Sequence, residues 1–397
     1  MLLLLFTIAF SAGSVLAGTA ANTQIINNAS LSFDDGTGVQ TITASVTVTV
    51  DLVAAVPNLS APPDDSTVYV GPDTPLTFDY TITAGSNGPD TYTITSSVAS
   101  STNTSIPGTS IPTPVILGAS VTSGNIGSTT TLQVPSDGSG PDNVVNQIEA
   151  GDIIIVDVGS GPETVTVLSV TDPGSGMATI TLEPTTQLSG SAPVGTPIYE
   201  QQMVILTVGS GTIVTSGTDI TVTAEVTVTN SAGTATDQVV ATYTSGSATL
   251  TKYVRNVNNA NGNSGGTGAQ SFTIDGFTGN YYTGGVTGEP GDTLEYVLVA
   301  DNTGTAVLTD AVISDLIPEA FVTFDTGVYG GTDDVFYIDT AGVTDSFPAD
   351  GTDLADFTAG GNPNLVVYVG NGAAPGTTGS IPVGSRVTVA YQVTINP

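Results

Sequence analysis

The chain contains no cysteine, no histidine and no tryptophan, and only three basic residues, Lys252, Arg255 and Arg386. Each absence removes a class of chemistry. Without cysteine there is no disulfide framework, no reactive thiol and no thiolate metal site. Without histidine the usual general base and the commonest transition-metal ligand are gone. Three cations against 36 acids leave a formal net charge of −33, which repels nucleic acid and anionic membranes. Paired carboxylates could still hydrolyse glycosides, but no acid sits among aromatic residues suggesting a cleft. No catalytic residue is assigned and the chain is not expected to be an enzyme.

What is abundant is equally informative. Threonine, serine, valine and glycine dominate, with 48 glycines and 23 prolines in 397 residues. This is a strand-and-turn composition, and at 39% hydrophobic residues the chain can bury cores for about two to three domains. Residues 1–17, MLLLLFTIAFSAGSVLA, read as a signal peptide. Leu2 to Phe10 form its apolar core, and Val15 and Ala17 are small enough for a cleavage site. The apolar run is too short to span a bilayer comfortably. An exported, extracellular or cell-surface protein with no stable membrane span in its mature form is expected.

Taken in order, the pattern predicts an all-β protein. Residues 18–56 form an N-terminal hairpin and linker, with two alternating strands around the Asp34-Asp35-Gly36-Thr37-Gly38 turn. A first β-sandwich takes residues 57–111 plus 200–246. A small inserted β-barrel or meander occupies 112–199, at a loop tip where insertions are tolerated. A second β-sandwich runs from 247 to 397. The segment Pro75 to Val98 has the same order of strand, Gly-Asn turn and strand as Glu289 to Asp315. The two sandwiches are therefore related units rather than links of a short-period solenoid.

Pro290 to Phe324, PGDTLEYVLVADNTGTAVLTDAVISDLIPEAFVTF, preceded by TLTKYVRNVN, resembles the conserved-repeat domain of bacterial and archaeal surface proteins, domain of unknown function eleven. The resemblance covers residues 247–397, extends to 45–111 with 200–246, and omits the insert. It implies extracellular immunoglobulin-like sandwiches of adhesins, sheaths and filaments, without catalytic residues. Ala17 to Gly38 resembles the segment that closes such repeats, yet here that segment precedes its domain.

That displacement suggests an assembly. Val387 to Pro397, VTVAYQVTINP, matches the internal Ile220 to Asn230, ITVTAEVTVTN, but the continuation that follows the internal copy is found at the opposite end of the chain. The N-terminal segment is therefore expected to be a donor hairpin that completes the C-terminal sandwich of a neighbouring copy, giving a head-to-tail homopolymer, a pilus-like extracellular filament. The donor side chains are Ile25, Leu31, Phe33, Ile42, Val46, Val48 and Val50. The acceptor edge is placed at Val387, Val389, Tyr391, Val393 and Ile395. Burying seven large apolar side chains yields on the order of 10–20 kcal/mol gross. The alternative is a monomeric or anchored surface adhesin that binds a glycan or another cell-surface protein.

Smaller features complete the reading. Asp350, Asp353 and Asp356, with Thr332-Asp333-Asp334 and Asp345, have short spacings that suit a structural Ca2+ site. Lys252 is expected in a strand-edge salt bridge rather than an isopeptide bond. Asn28, Asn58 and Asn103 stand in N-x-S/T sequons. Tyr281 and Tyr282 are expected to pack on their own sandwich rather than stack on sugars.

Overall fold

The computed structural model describes residues 18–123, 128–362 and 364–397. The leader reading of residues 1–17 lies outside them. Among the described residues the chain is all-β; a short 3-10 turn at Ala260–Asn263 is its helical element, and no helix is long and apolar enough to cross a membrane.

The N-terminal hairpin consists of β1 (Gln24–Asp34) and β2 (Val39–Thr49), paired without interruption from Gln24 opposite Thr49 to Asp34 opposite Val39. Its turn is held by Asp34 Oδ1, which accepts the Gly36 N–H, and Asp35 Oδ1, which accepts that of Thr37. Because cross-strand partners share a face, this register collects Ile25, Ala29, Leu31 and Phe33 with Val48, Ala44, Ile42 and Gln40. The opposite face is mostly Thr, Ser, Asn and Gln, with Ser32 and Thr41 hydroxyls 3.1 Å apart. Among the described residues neither strand pairs with anything else, and every residue of both is exposed.

In the first sandwich, β3 (Asn58–Ser60), β4 (Asp65–Val68), β5 (Pro75–Thr83), β6 (Asp90–Thr102) and β7 (Val115–Leu117) precede the insert. After it come β8 (Pro197–Gly209), β9 (Ile220–Asn230) and β10 (Gly233–Thr244). One sheet contains β3, β5 and β8; the other runs β4-β10-β9-β6-β7. Alternation along the strands sends Phe78, Tyr80, Ile82, Leu206, Val222, Val226 and Ala241 into a shared core. The insert's strands, Thr131–Pro135, Met177–Leu182, Pro162–Thr171 and Ile153–Asp157, pair in that spatial order and continue onto the first half of β8. They enclose a separate core including Leu132, Ile154, Val167 and Ile180. Val115, Leu117 and Ala119 pack in the sandwich core, so the insert's own fold begins after them rather than at 112.

The second sandwich contains β11 (Ala248–Asn256), β12 (Gln270–Ile274), β13 (Phe277–Tyr281), β14 (Thr293–Asn302), β15 (Leu308–Asp315), β16 (Val335–Ile338), β17 (Leu365–Tyr368), β18 (Gly379–Ile381) and β19 (Arg386–Ile395). One sheet runs β11-β14-β19-β16. Facing it are β15, β17 and β18, and between them lie Leu298, Ile313, Val367, Val389 and Tyr391. The β12–β13 hairpin covers the outer face of the first of these sheets, over Val297, Val299 and Ala390. There the buried Glu295 receives Arg255 Nε at 2.7 Å, Tyr329 Oη at 3.0 Å and Gln392 Nε2 at 2.9 Å, with the Tyr281 hydroxyl as a further donor. The buried charge is thus fully paired, and Tyr281 packs within its own sandwich as expected from sequence.

Candidate assembly interface

The free hairpin is held at its foot by one turn of the first sandwich, Gly85-Ser86-Asn87-Gly88. Asn87 uses all of its polar groups there. Its Nδ2 donates to the carbonyls of Thr19 (3.1 Å) and Asp51 (3.3 Å), and its Oδ1 accepts the Val53 N–H (2.7 Å). Its own N–H donates to the Val53 carbonyl, and its carbonyl accepts the Ala21 N–H at 2.8 Å. Ala20 and Ala21 are consequently buried. Glycine is required beside Asn87: a Cβ on Gly88 would lie 2.5 Å from that of Ala21, and one on Gly85 would lie 2.5 Å from the Val56 carbonyl oxygen. From the sequence this stretch reads only as a turn. Val50 also belongs to this foot. Its backbone bonds to Thr23 and Asn22, and it is half-buried rather than part of the free apolar face.

The other six residues expected to act as donors share one face. Ile25, Leu31, Phe33, Ile42, Val46 and Val48 are 43–59% exposed on one side of an isolated two-stranded sheet. Such a ribbon is marginal in water without a further partner.

The acceptor differs from the sequence expectation. Val387, Val389, Tyr391 and Val393 are at most 1% exposed, and Ile395 is partly buried. They lie on β19, which is an interior strand paired with β14 on one side and with β16 and Val322–Phe324 on the other. The sequence match to Ile220–Asn230 misplaced it. β9 pairs with β6 and β10, whereas β19 pairs with β14 as β8 pairs with β5. β19 therefore occupies the place of β8, and among the described residues the second sandwich has no counterpart of either β9 or β10.

The consequence is visible on the strands those two would cover. In the first sandwich Phe78, Tyr80, Ile82 and Ala84 are 0–3% exposed beneath β9 and β10. Of the corresponding residues of β14, Leu298 is 2% exposed, but Leu294, Tyr296 and Ala300 are only partly buried, and Leu250 on β11, opposite Ala300, is 57% exposed. The strand that β9 would join is β15. It pairs with β17 over Val312–Asp315 and with β18 at Leu308 and Ala311. A Cβ on Gly379 would lie 2.5 Å from the Val369 carbonyl oxygen, and the Gly370 N–H donates to Tyr337 Oη on β16 at 2.8 Å. The two segments therefore follow one another along the β16 side of β15, leaving its β11 side without a paired strand among the described residues.

Lys252 crosses this gap. Its Nζ contacts the Asp315 carboxylate on β15 and the Tyr391 hydroxyl (3.0 Å), 4.5 Å from the centre of the Tyr296 ring. It is the salt bridge expected for it, spanning two sheets. In register it matches Leu59 of the first sandwich, which lies opposite Ile82 as Lys252 lies opposite Leu298. A lysine on an uncovered edge strand opposes indiscriminate pairing.

The residues expected to bind calcium do not come together. Among the described residues no three acidic side chains converge on a metal-sized site. Asp350 accepts from Thr352, Asp353 from the Leu354 N–H, and Asp356 lies on a strand bridged to Asp350. Asp333 accepts from Ser346, and Asp334 from the N–H groups of Gly327 and Ala349. These carboxylates satisfy turn donors instead. Of the sequon asparagines, Asn28 and Asn58 are exposed, while the Asn103 amide is committed to the carbonyls of Thr215 and Thr218.

Comparison with known proteins places little beside this geometry. The chain is similar to the C-terminal domain of the Streptococcus agalactiae AgI/II polypeptide BspA, at 10% identity over 94% of this chain and 92% of that one, with a TM-score of 0.30. It is also similar to the C-terminal domain of the Streptococcus pyogenes antigen I/II-family protein AspA, at 11% identity, the same coverage and a TM-score of 0.28. Likeness at this level carries no argument about function. No family model and no curated protein matches the chain.

Proposed function

We propose that the protein is the subunit of an extracellular filament, in which β1 and β2 of one copy take the two strand places left open in the C-terminal sandwich of the next. One observation carries this reading: among the described residues, one sandwich has no strands in two adjacent places, and two strands elsewhere pair only with each other. The match extends to size and pattern. β1 and β2 have 11 residues each, as β9 has 11 and β10 has 12, and both hairpins present one apolar face. Insertion buries six large side chains of the hairpin, a gross gain of roughly 10–15 kcal/mol before ordering costs. New ladder hydrogen bonds along β15 add about 1 kcal/mol each. A head-to-tail contact of this kind does not close, so it propagates. The leader-like residues 1–17 support export, and the repeat of the Pro290–Phe324 pattern in both units supports the conserved-repeat surface family.

The test uses full-length protein carrying Leu31→Asp and Ile42→Asp. Both side chains are exposed, so the subunit should fold with an unchanged circular dichroism spectrum and fail to form fibres in negative stain. Fibres from the double variant equal to wild type would refute the proposal.

A further inference from the structure

The foot of the hairpin borders an apolar cleft of about 810 Å³ between the first sandwich and the insert, lined by Val53, Val56, Val121, Pro162, Pro197 and Tyr199, with Gly18 at its rim. Nothing within the described chain fills it. We infer that this cleft is a second contact in the filament, a socket for the Leu316–Phe321 loop of the copy that receives the hairpin. This rests on the strand-donation reading and adds its direction.

The direction follows from the molecule's own complete sandwich. There the chain passes from β8 to β9 to β10, and β9 lies antiparallel beside β6, with Thr221 opposite Thr102 and Thr229 opposite Thr93. By the same order β19 is followed by the incoming β1, which lies antiparallel beside β15. The start of β1, where the foot is, then arrives at the Asp315 end of β15. The loop leaving that end exposes two large apolar side chains, Leu316 at 56% and Phe321 at 72%. They face the foot, and the foot carries the apolar cleft. At the opposite end the hairpin turn brings Asp34 and Asp35 toward the Leu308 end, where the most exposed cation, Arg386, pairs with Asp301 at 2.9 Å. The apolar end is thus matched in this orientation, while at the other end Arg386 is already paired with Asp301, and Asp310 also stands at that end of β15. Turning the hairpin end for end sets the acidic turn against Phe321 and the cleft against Arg386.

The chain has no cysteine, so paired cysteine variants report the contact cleanly. Val53→Cys with Phe321→Cys should give disulfide-linked ladders on a denaturing, non-reducing gel of oxidised fibres. Val53→Cys with Val383→Cys, a residue in the turn before β19, should not. Ladders from the second pair instead of the first overturn the direction, and fibres with ladders from neither overturn the socket while leaving strand donation intact. If the wild-type chain forms no fibres at all, both readings fall together. Phe321→Ser, at an exposed position, should raise the protein concentration needed for fibre growth about tenfold. An unchanged threshold contradicts the socket.

Discussion

The two sandwiches begin from nearly the same sequence pattern and end in different states. Leu76 to Ala84 and Asp292 to Ala300 both place an aromatic or leucine, a tyrosine and a branched residue on the inner face. In the first unit these residues are sealed beneath β9 and β10; in the second, Leu298 is buried while Leu294, Tyr296 and Ala300 remain half-covered. The strands themselves do not account for this. One unit has β9 and β10 over these strands, whereas among the described residues the other has no strand in those places. On the proposed reading, an immunoglobulin-like unit becomes a receptor when the hairpin that would close it is carried by a neighbouring copy.

The strongest way to break the comparison is to restore the missing strands in the same chain. Fusing residues 18–53 after Pro397 through a flexible linker, and removing the original hairpin, should give a monomer whose second sandwich melts more than ~10 °C higher than in the hairpin-deleted subunit. Fluorescence-monitored melting checks this, and equal transitions would mean the second sandwich is already complete. Next in size is a joint that only the first unit possesses. Glu200, buried where β8 passes into the insert, has its carboxyl pushed up to about 7 by desolvation, with Asp152 and Glu149 adding repulsion. Because the folded value lies above the ordinary one, ionisation favours the unfolded chain. Stability is greatest below about pH 4.5 and is lost as pH rises toward 7. Glu200→Gln should therefore raise the first unit's transition at pH 8, by up to roughly 3 kcal/mol, and change little at pH 4.

Asn87→Ala should have a smaller effect, about 1–2 kcal/mol, by releasing the side-chain bonds to Thr19, Asp51 and Val53. Hydrogen exchange should show faster opening of residues 18–23 and 50–53, with slower fibre growth. The smallest effect is electrostatic. Subunits of charge −33 repel as they approach, so raising salt from low ionic strength to 0.15 M should accelerate growth severalfold, as followed by light scattering.

Much of this was legible in the sequence because strand alternation is strongly printed in Thr/Val-rich chains. The β1–β2 register, the apolar face from Ile25 to Val48, the related pair of sandwiches and the insert all follow from period-two patterning and turn residues. The acceptor was not legible. Val387–Ile395 and Ile220–Asn230 have the same alternation, and alternation records which face is buried but not which neighbour a strand takes. β19 and β9 thus look alike while sitting in different sheets. Asn87 was missed for a related reason: a Gly-Ser-Asn-Gly turn reads the same whether or not another segment docks on it. The acidic loops misled because Asx turns and calcium loops draw on the same residues at the same short spacings, and only coordinates reveal that Asp334, Asp350 and Asp353 accept nearby backbone N–H groups and Asp333 the Ser346 hydroxyl.

The account turns on what fills the space between β11 and β15 of an assembled subunit. A near-atomic image of the fibre should show two antiparallel strands there, covering Tyr296 and continuous with Gly18 to Val53 of the adjoining copy, with Lys252 displaced or re-paired at their margin. An empty gap in the fibre, or the hairpin bound on any other surface, would contradict it.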